Sequence, residues 1–166
     1  MYRVINDFLE DWKYESESTI KLFNNITEEK KEQKVTPDGR SLSYLAWHIT
    51  NSIPDMMTKT GLDFGRLDEQ EREPEKFENI ISTFQKNSDT LYEQIKNKWT
   101  DNMLAEELNL WGENWAKGKL LKVLIIHQVH HRAQMTVLMR QAGLKVPGVY
   151  GPSKEEWAAM GMEPQK

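Results

Sequence analysis

The chain has 166 residues, of which 38% are hydrophobic and 29% charged, with a net charge of −4 and no cysteine. This length and balance suit one soluble globular domain over residues 1–166 and argue against a disordered chain. Without thiols there can be no disulfide, thiolate metal site, iron–sulfur cluster or protein-borne sulfur nucleophile, and without a basic stripe nucleic-acid binding is disfavoured.

The first element, about Ile5 to Ile26, places Phe8, Trp12, Thr19, Leu22, Phe23 and Ile26 three or four residues apart, the spacing of an amphipathic helix. Glu15 falls on the same face and interrupts it. The opening residues Met1 to Asp7 carry no signal-peptide apolar region, and no apolar run reaches the roughly 20 residues of a membrane span. A cytoplasmic protein without a membrane partner is therefore expected. Thr27 to Arg40 is a charged connection ending in the turn signal Thr36-Pro37-Asp38-Gly39.

Ser41 is placed as the N-cap of a second helix. Its inward face reads Leu42, Leu45, His48, Ile49, Ser52 and Met56, and Pro54 should kink or shorten it. A polar connection from Thr58 to Glu73 follows. Pro74 is expected to open a third helix at a first-turn position, with the face Phe77, Ile80, Ile81, Phe84, Ser88, Leu91 and Ile95. Trp99 to Lys117 reads as a short strand pair or an ordered loop.

The fourth helix is expected from Gly118 to Ala142, stopping at Gly143, a span of nearly 40 Å at about 1.5 Å per residue. Its inner stripe is Leu120, Leu124, His127, His131, Gln134 and Leu138. In the tail, Ser153-Lys154-Glu155-Glu156 is a capping box for a short helix through Met160. Four amphipathic helices with modest connections make an all-α four-helix bundle the expected architecture.

Three of the four histidines lie in Ile126 to Gln134. His127 and His131 stand four apart, so their side chains lie one above the other on one helical face. His48 lies on the core stripe of another helix. Two imidazoles a turn apart and a third from a facing helix can hold one divalent cation with a position left open. The plainer reading is three hydrogen-bonded core histidines, and spacing alone leaves the two readings level. His130, 100° round the helix from His131, reads as a neighbour of the site or a surface group. Gln134 could donate to a ligand or bound water, or simply pack. Glu15 and Asp55 are the carboxylates nearest the inner faces; each could orient an imidazole, though a solvated helix edge explains both. Gln128 stands where a zinc peptidase would carry its glutamate and cannot serve as a base, so a peptidase reading is poor. Trp47, Trp111 and Trp115 could close the core, or line a pocket above the metal if one opens there.

Leu45-Ala46-Trp47-His48 and His127-Gln128-Val129-His130-His131-Arg132-Ala133-Gln134 together resemble the DinB-like, or YfiT-like, superfamily of metal-dependent bundle proteins. The resemblance implies an up-down-down-up bundle, a homodimer, and a divalent cation such as zinc or nickel on His48, His127 and His131. It also suggests a thiol S-transferase of bacillithiol type, joining a low-molecular-weight thiol co-substrate to a small-molecule electrophile near Trp47, Trp111, Trp115 and Gln134. A non-enzymatic dimeric bundle with a structural metal and a metal-dependent hydrolase stay open beside it.

Overall fold

The computed structural model describes residues 1–65 and 73–163. Its helices are α1 (Ile5–Phe23), α2 (Leu42–Met57), α3 (Phe77–Lys98) and α4 (Lys117–Gln141). A hairpin of β1 (Glu107–Leu110) and β2 (Glu113–Ala116) precedes α4. α1 and α2 each pack between α3 and α4.

Contacts along the helices give their directions. Trp12 Nε1 donates to the Ser88 carbonyl and Phe23 meets Phe77, so α1 and α3 are antiparallel. Tyr2 pairs with Gly118 and Glu15 with Arg132, so α1 and α4 are parallel. His48 meets His131 while Ser52 meets Gln128, so α2 and α4 are antiparallel. The order is up-down-down-up. Phe8, Trp12, Phe23, Ile49, Phe84 and Leu124 are buried in the core that these faces enclose.

Local chemistry explains where the helices begin and end. The Ser41 hydroxyl accepts from the Tyr44 N–H at 3.0 Å, satisfying one of the orphan donors of the first turn of α2. Pro54 neither ends nor shortens that helix, which runs on to Met57. The Thr50 carbonyl, deprived of its partner by the missing Pro54 N–H, accepts from Asn87 Nδ2 of α3 at 3.3 Å. α1 ends at Phe23 rather than Ile26, because Asn25 and Ile26 bond three residues back and tighten the last turn.

α3 begins at Phe77 and not at Pro74. Its cap comes from a distant segment: Glu28 Oε2 accepts the Phe77 N–H at 3.0 Å. The expected capping box forms by half. Glu156 Oε2 accepts the Ser153 N–H at 3.1 Å, the Ser153 hydroxyl does not return a bond to the Glu156 N–H, and the 3₁₀ turn Trp157–Met160 follows.

The hairpin closes through Trp111 and Gly112, with φ of 51° and 84°. Two positive φ angles are what a two-residue turn needs to follow strand twist, and Asn or Gly normally supplies the first. For tryptophan the left-handed conformation costs about 1–2 kcal/mol.

Gly118, in the first turn of α4, lets the N-terminal segment approach. Its carbonyl accepts the Tyr2 N–H at 3.1 Å, and a Cβ there would stand 2.2 Å from the Tyr2 carbonyl oxygen. Gly118→Ala should therefore lower stability by about 1–3 kcal/mol, outweighing the propensity gain of about 1 kcal/mol. Thermal denaturation checks this; an unchanged or raised midpoint would show that the N-terminal segment yields freely.

Candidate metal centre

His48 leaves the middle of α2, and His127 and His131 leave successive turns of α4. The Nε2 atoms of the three rings form a nearly equilateral triangle, 3.1 Å from His48 to His127, 3.1 Å from His48 to His131 and 3.2 Å between His127 and His131. Two nitrogens bound to one ion at about 2.0–2.1 Å stand about 2.9–3.4 Å apart for angles between octahedral and tetrahedral. The triangle fits a single divalent cation.

Hydrogen bonding supports the same arrangement. His131 Nδ1 lies 2.8 Å from Gln134 Oε1, an atom that can only accept, so the proton sits on Nδ1 and the Nε2 lone pair faces the triangle. Gln134 is thereby an orienting partner of His131, and its amide nitrogen turns to His130 at 3.3 Å. The buried His127 Nδ1 has no partner among the described residues. His48 lies beneath the Tyr44 ring, the two planes 10° apart.

Burial pushes all three imidazoles below their ordinary pKa. His127 falls to about 4, through burial first and then the neighbouring imidazoles. For His48 burial again leads, followed by His131 and Arg40. For His131 burial outweighs the opposing bond from Gln134. At neutral pH the rings are uncharged and available as ligands.

Neither carboxylate expected near the inner faces hydrogen-bonds to an imidazole. Glu15 is buried, but it neither touches an imidazole nor sits at a solvated edge. Its carboxylate binds Arg132 and accepts from the Tyr150 hydroxyl at 2.7 and 2.8 Å. The Asp55 side chain is 70% exposed and pairs with Lys59 at 3.1 Å.

A cleft of about 360 Å³ opens on two of the three imidazoles, lined by His48, His127, Asn51, Asp55, Met56 and Trp111 among others. Trp115 stands edge-on to Trp111 with centroids 5.3 Å apart. Trp47 packs, half-buried, against the hydrophobic core and is not part of this lining.

Two residues beside the site went unread as structural anchors. Gln128 is buried and donates through Nε2 to the Ile49 carbonyl and the Ser52 hydroxyl, both at 3.0 Å, locking α2 to α4 next to His48. Arg132, next to His131 in sequence, is buried against α1. The carboxylate interrupting the apolar face of α1 was the available signal for a buried cationic partner.

The DinB family model matches residues 1–166. The chain is 41% identical over 166 residues to an uncharacterised protein, YrdA, of Bacillus subtilis (strain 168), covering 100% of this chain and 99% of that protein. The crystal structure of a DinB-like protein from Bacillus cereus ATCC 10987 aligns with a TM-score of 0.85 at 40% identity, over 90% of this chain and 100% of that one. A second DinB-like protein, YjoA of Bacillus subtilis, aligns with a TM-score of 0.65 at 18% identity, over 86% and 97% of the two chains, and shares the fold.

Proposed function

Given that the chain belongs to the DinB family, we propose that it is a divalent-metal-dependent thiol S-transferase that joins a low-molecular-weight thiol to a small electrophile. The observation that carries this reading is the His48–His127–His131 triangle, two of whose imidazoles, His48 and His127, line a cleft large enough for a small molecule. A zinc or nickel ion held there would act as a Lewis acid, making a thiol more acidic at neutral pH.

The chain's own groups have complementary work. The three neutral imidazoles supply nitrogen donors without a net charge, and Gln134 keeps His131 in the ligating tautomer. Asp55, in the same cleft, can accept the thiol proton. As the sulfur–carbon bond forms, the leaving group departs with the electrons of the bond it breaks. With no cysteine in the chain, the sulfur must come from a co-substrate. Its bacillithiol character rests on the family resemblance alone. The reading includes a cytoplasmic homodimer acting without nucleic acid or membrane. In support, no helix among the described residues is long and apolar enough to cross a membrane, and the net charge is −4.

Hydrolysis is the second reading, favoured by the same Asp55, which could equally take a proton from water. Zinc-loaded, untagged protein should conjugate monochlorobimane to bacillithiol, cysteine or glutathione, with the rate dependent on both thiol and metal. Hydrolysis of p-nitrophenyl acetate without thiol would favour the second reading. Conjugation unchanged by removal of the metal would overturn the first.

A further inference from the structure

We infer that the cleft beside the triad selects a planar aromatic or conjugated substrate, and that Trp111 is the residue that binds its ring. This rests on the metal-centred reading above and adds the substrate class to it. Trp111 sits at the tip of the β1–β2 hairpin with φ of 51°, where asparagine or glycine would form the same turn without strain. Its side chain is not spent on the core: it remains 59% exposed and lines the cleft that holds His48 and His127. A residue that strains the backbone and stays largely in solvent contributes little to folding, so its place at the cleft asks for a ligand.

The surroundings specify what kind. Trp115 holds the Trp111 ring edge-on, and the Lys59 ammonium lies 5.7 Å from its centroid, so the indole is held between two neighbours. Met56 and Val123 add apolar lining, the thioether being well suited to a ring. Polar atoms of Asn51 and Asp55 share the cleft with the two imidazoles. A ligand matching this lining has a flat apolar body for Trp111, Met56 and Val123 and a polar functional group for the imidazole side. A benzene-sized cavity is about 150 Å³, so a volume of about 360 Å³ admits a ring together with its functional group.

The test uses zinc-loaded protein and two metal-binding probes that differ by a ring, acetohydroxamate and benzohydroxamate, titrated calorimetrically. Benzohydroxamate should bind roughly 2- to 10-fold more tightly, the increment of an aromatic pair. Trp111→Asn should remove that preference while leaving acetohydroxamate affinity and the melting temperature unchanged or higher, since asparagine relieves the turn. Trp111→Phe, which keeps a ring, should retain the preference. A preference that survives in Trp111→Asn, or is absent from the unsubstituted protein while acetohydroxamate binds, would overturn the aromatic assignment alone. If acetohydroxamate itself fails to bind, the metal-centred reading falls and this inference falls with it.

Discussion

Replacing His48, His127 or His131 by alanine is expected to lower divalent-cation affinity by more than 100-fold, taking uptake from one ion per chain to near zero. Loss of a group that merely orients a ligand already costs 10–100-fold, and here a whole donor is removed from a set of three. The metal-free protein should hardly notice. Three neutral imidazoles 3.1–3.2 Å apart share too few protons to satisfy one another, because each Nε2 can donate to only one neighbour and His131 carries its proton on Nδ1. Truncating one ring therefore removes polar crowding as well as packing.

The informative quantity is the stabilisation conferred by the ion. With free zinc at a thousand times Kd, the unsubstituted protein gains about 4 kcal/mol. That corresponds to about 8–16 °C for a chain of this size. Each alanine variant should lose that gain, and a chelator should erase it in the parent. Elemental analysis and paired melting curves on untagged protein decide the matter. If His127→Ala and His131→Ala both take up a full equivalent of metal, the triangle is not the metal centre.

Arg132→Met should destabilise the protein by about 3–5 kcal/mol, about 6–20 °C in melting temperature, because it leaves the Glu15 carboxylate buried without its cation. Arg132 lies against α1 in a dense set of bonds. It donates to the Glu15 carboxylate, to the Glu15 carbonyl at 2.9 Å, to the Thr19 hydroxyl at 3.1 Å and to the Tyr150 hydroxyl at 2.7 Å. Removing the carboxylate as well should recover most of the loss. Glu15→Leu combined with Arg132→Met substitutes apolar packing for two desolvated charges, an exchange that is often neutral or stabilising.

A double-mutant cycle, completed by Glu15→Leu alone, measures the coupling. Equal losses in Arg132→Met and in the double variant would show that lost packing, and not the stranded charge, dominates. The folded Arg132→Met variant should still bind metal, since His131 and Arg132 leave α4 toward different neighbours. The bonds through Tyr150, together with that of Lys21 Nζ to the Gly148 carbonyl at 2.9 Å, also hold the C-terminal segment on α1. Susceptibility of that segment to proteolysis should therefore rise in Arg132→Met.

The four helices stand where the apolar periodicity puts them, and the segment before α4 is the hairpin form of the two expected. Element boundaries were harder to read when the deciding contact was distant. Pro74 signals a helix start by local rules, but the Glu28 carboxylate, 49 positions before Phe77, is what caps α3. Pro54 signals a break by the same rules, yet α2 runs through it, and Asn87 from a neighbouring helix supplies the Thr50 carbonyl with the bond that proline cannot give.

For the site, local helical geometry was enough to stack His127 over His131, because residues four apart must share a face. Composition was enough to exclude a protein thiol. That His48 completes the set within 3.1 Å of both partners depended on the register between α2 and α4, which Gln128 pins through Ile49 and Ser52, 79 and 76 positions away. The pairing of Glu15 with Arg132, and the cleft that brings Trp111 to the imidazoles, have the same origin. Periodicity and spacing act over a few residues along one element, whereas ligand sets, buried ion pairs and clefts belong to the approach of separate elements, which only the packed bundle determines.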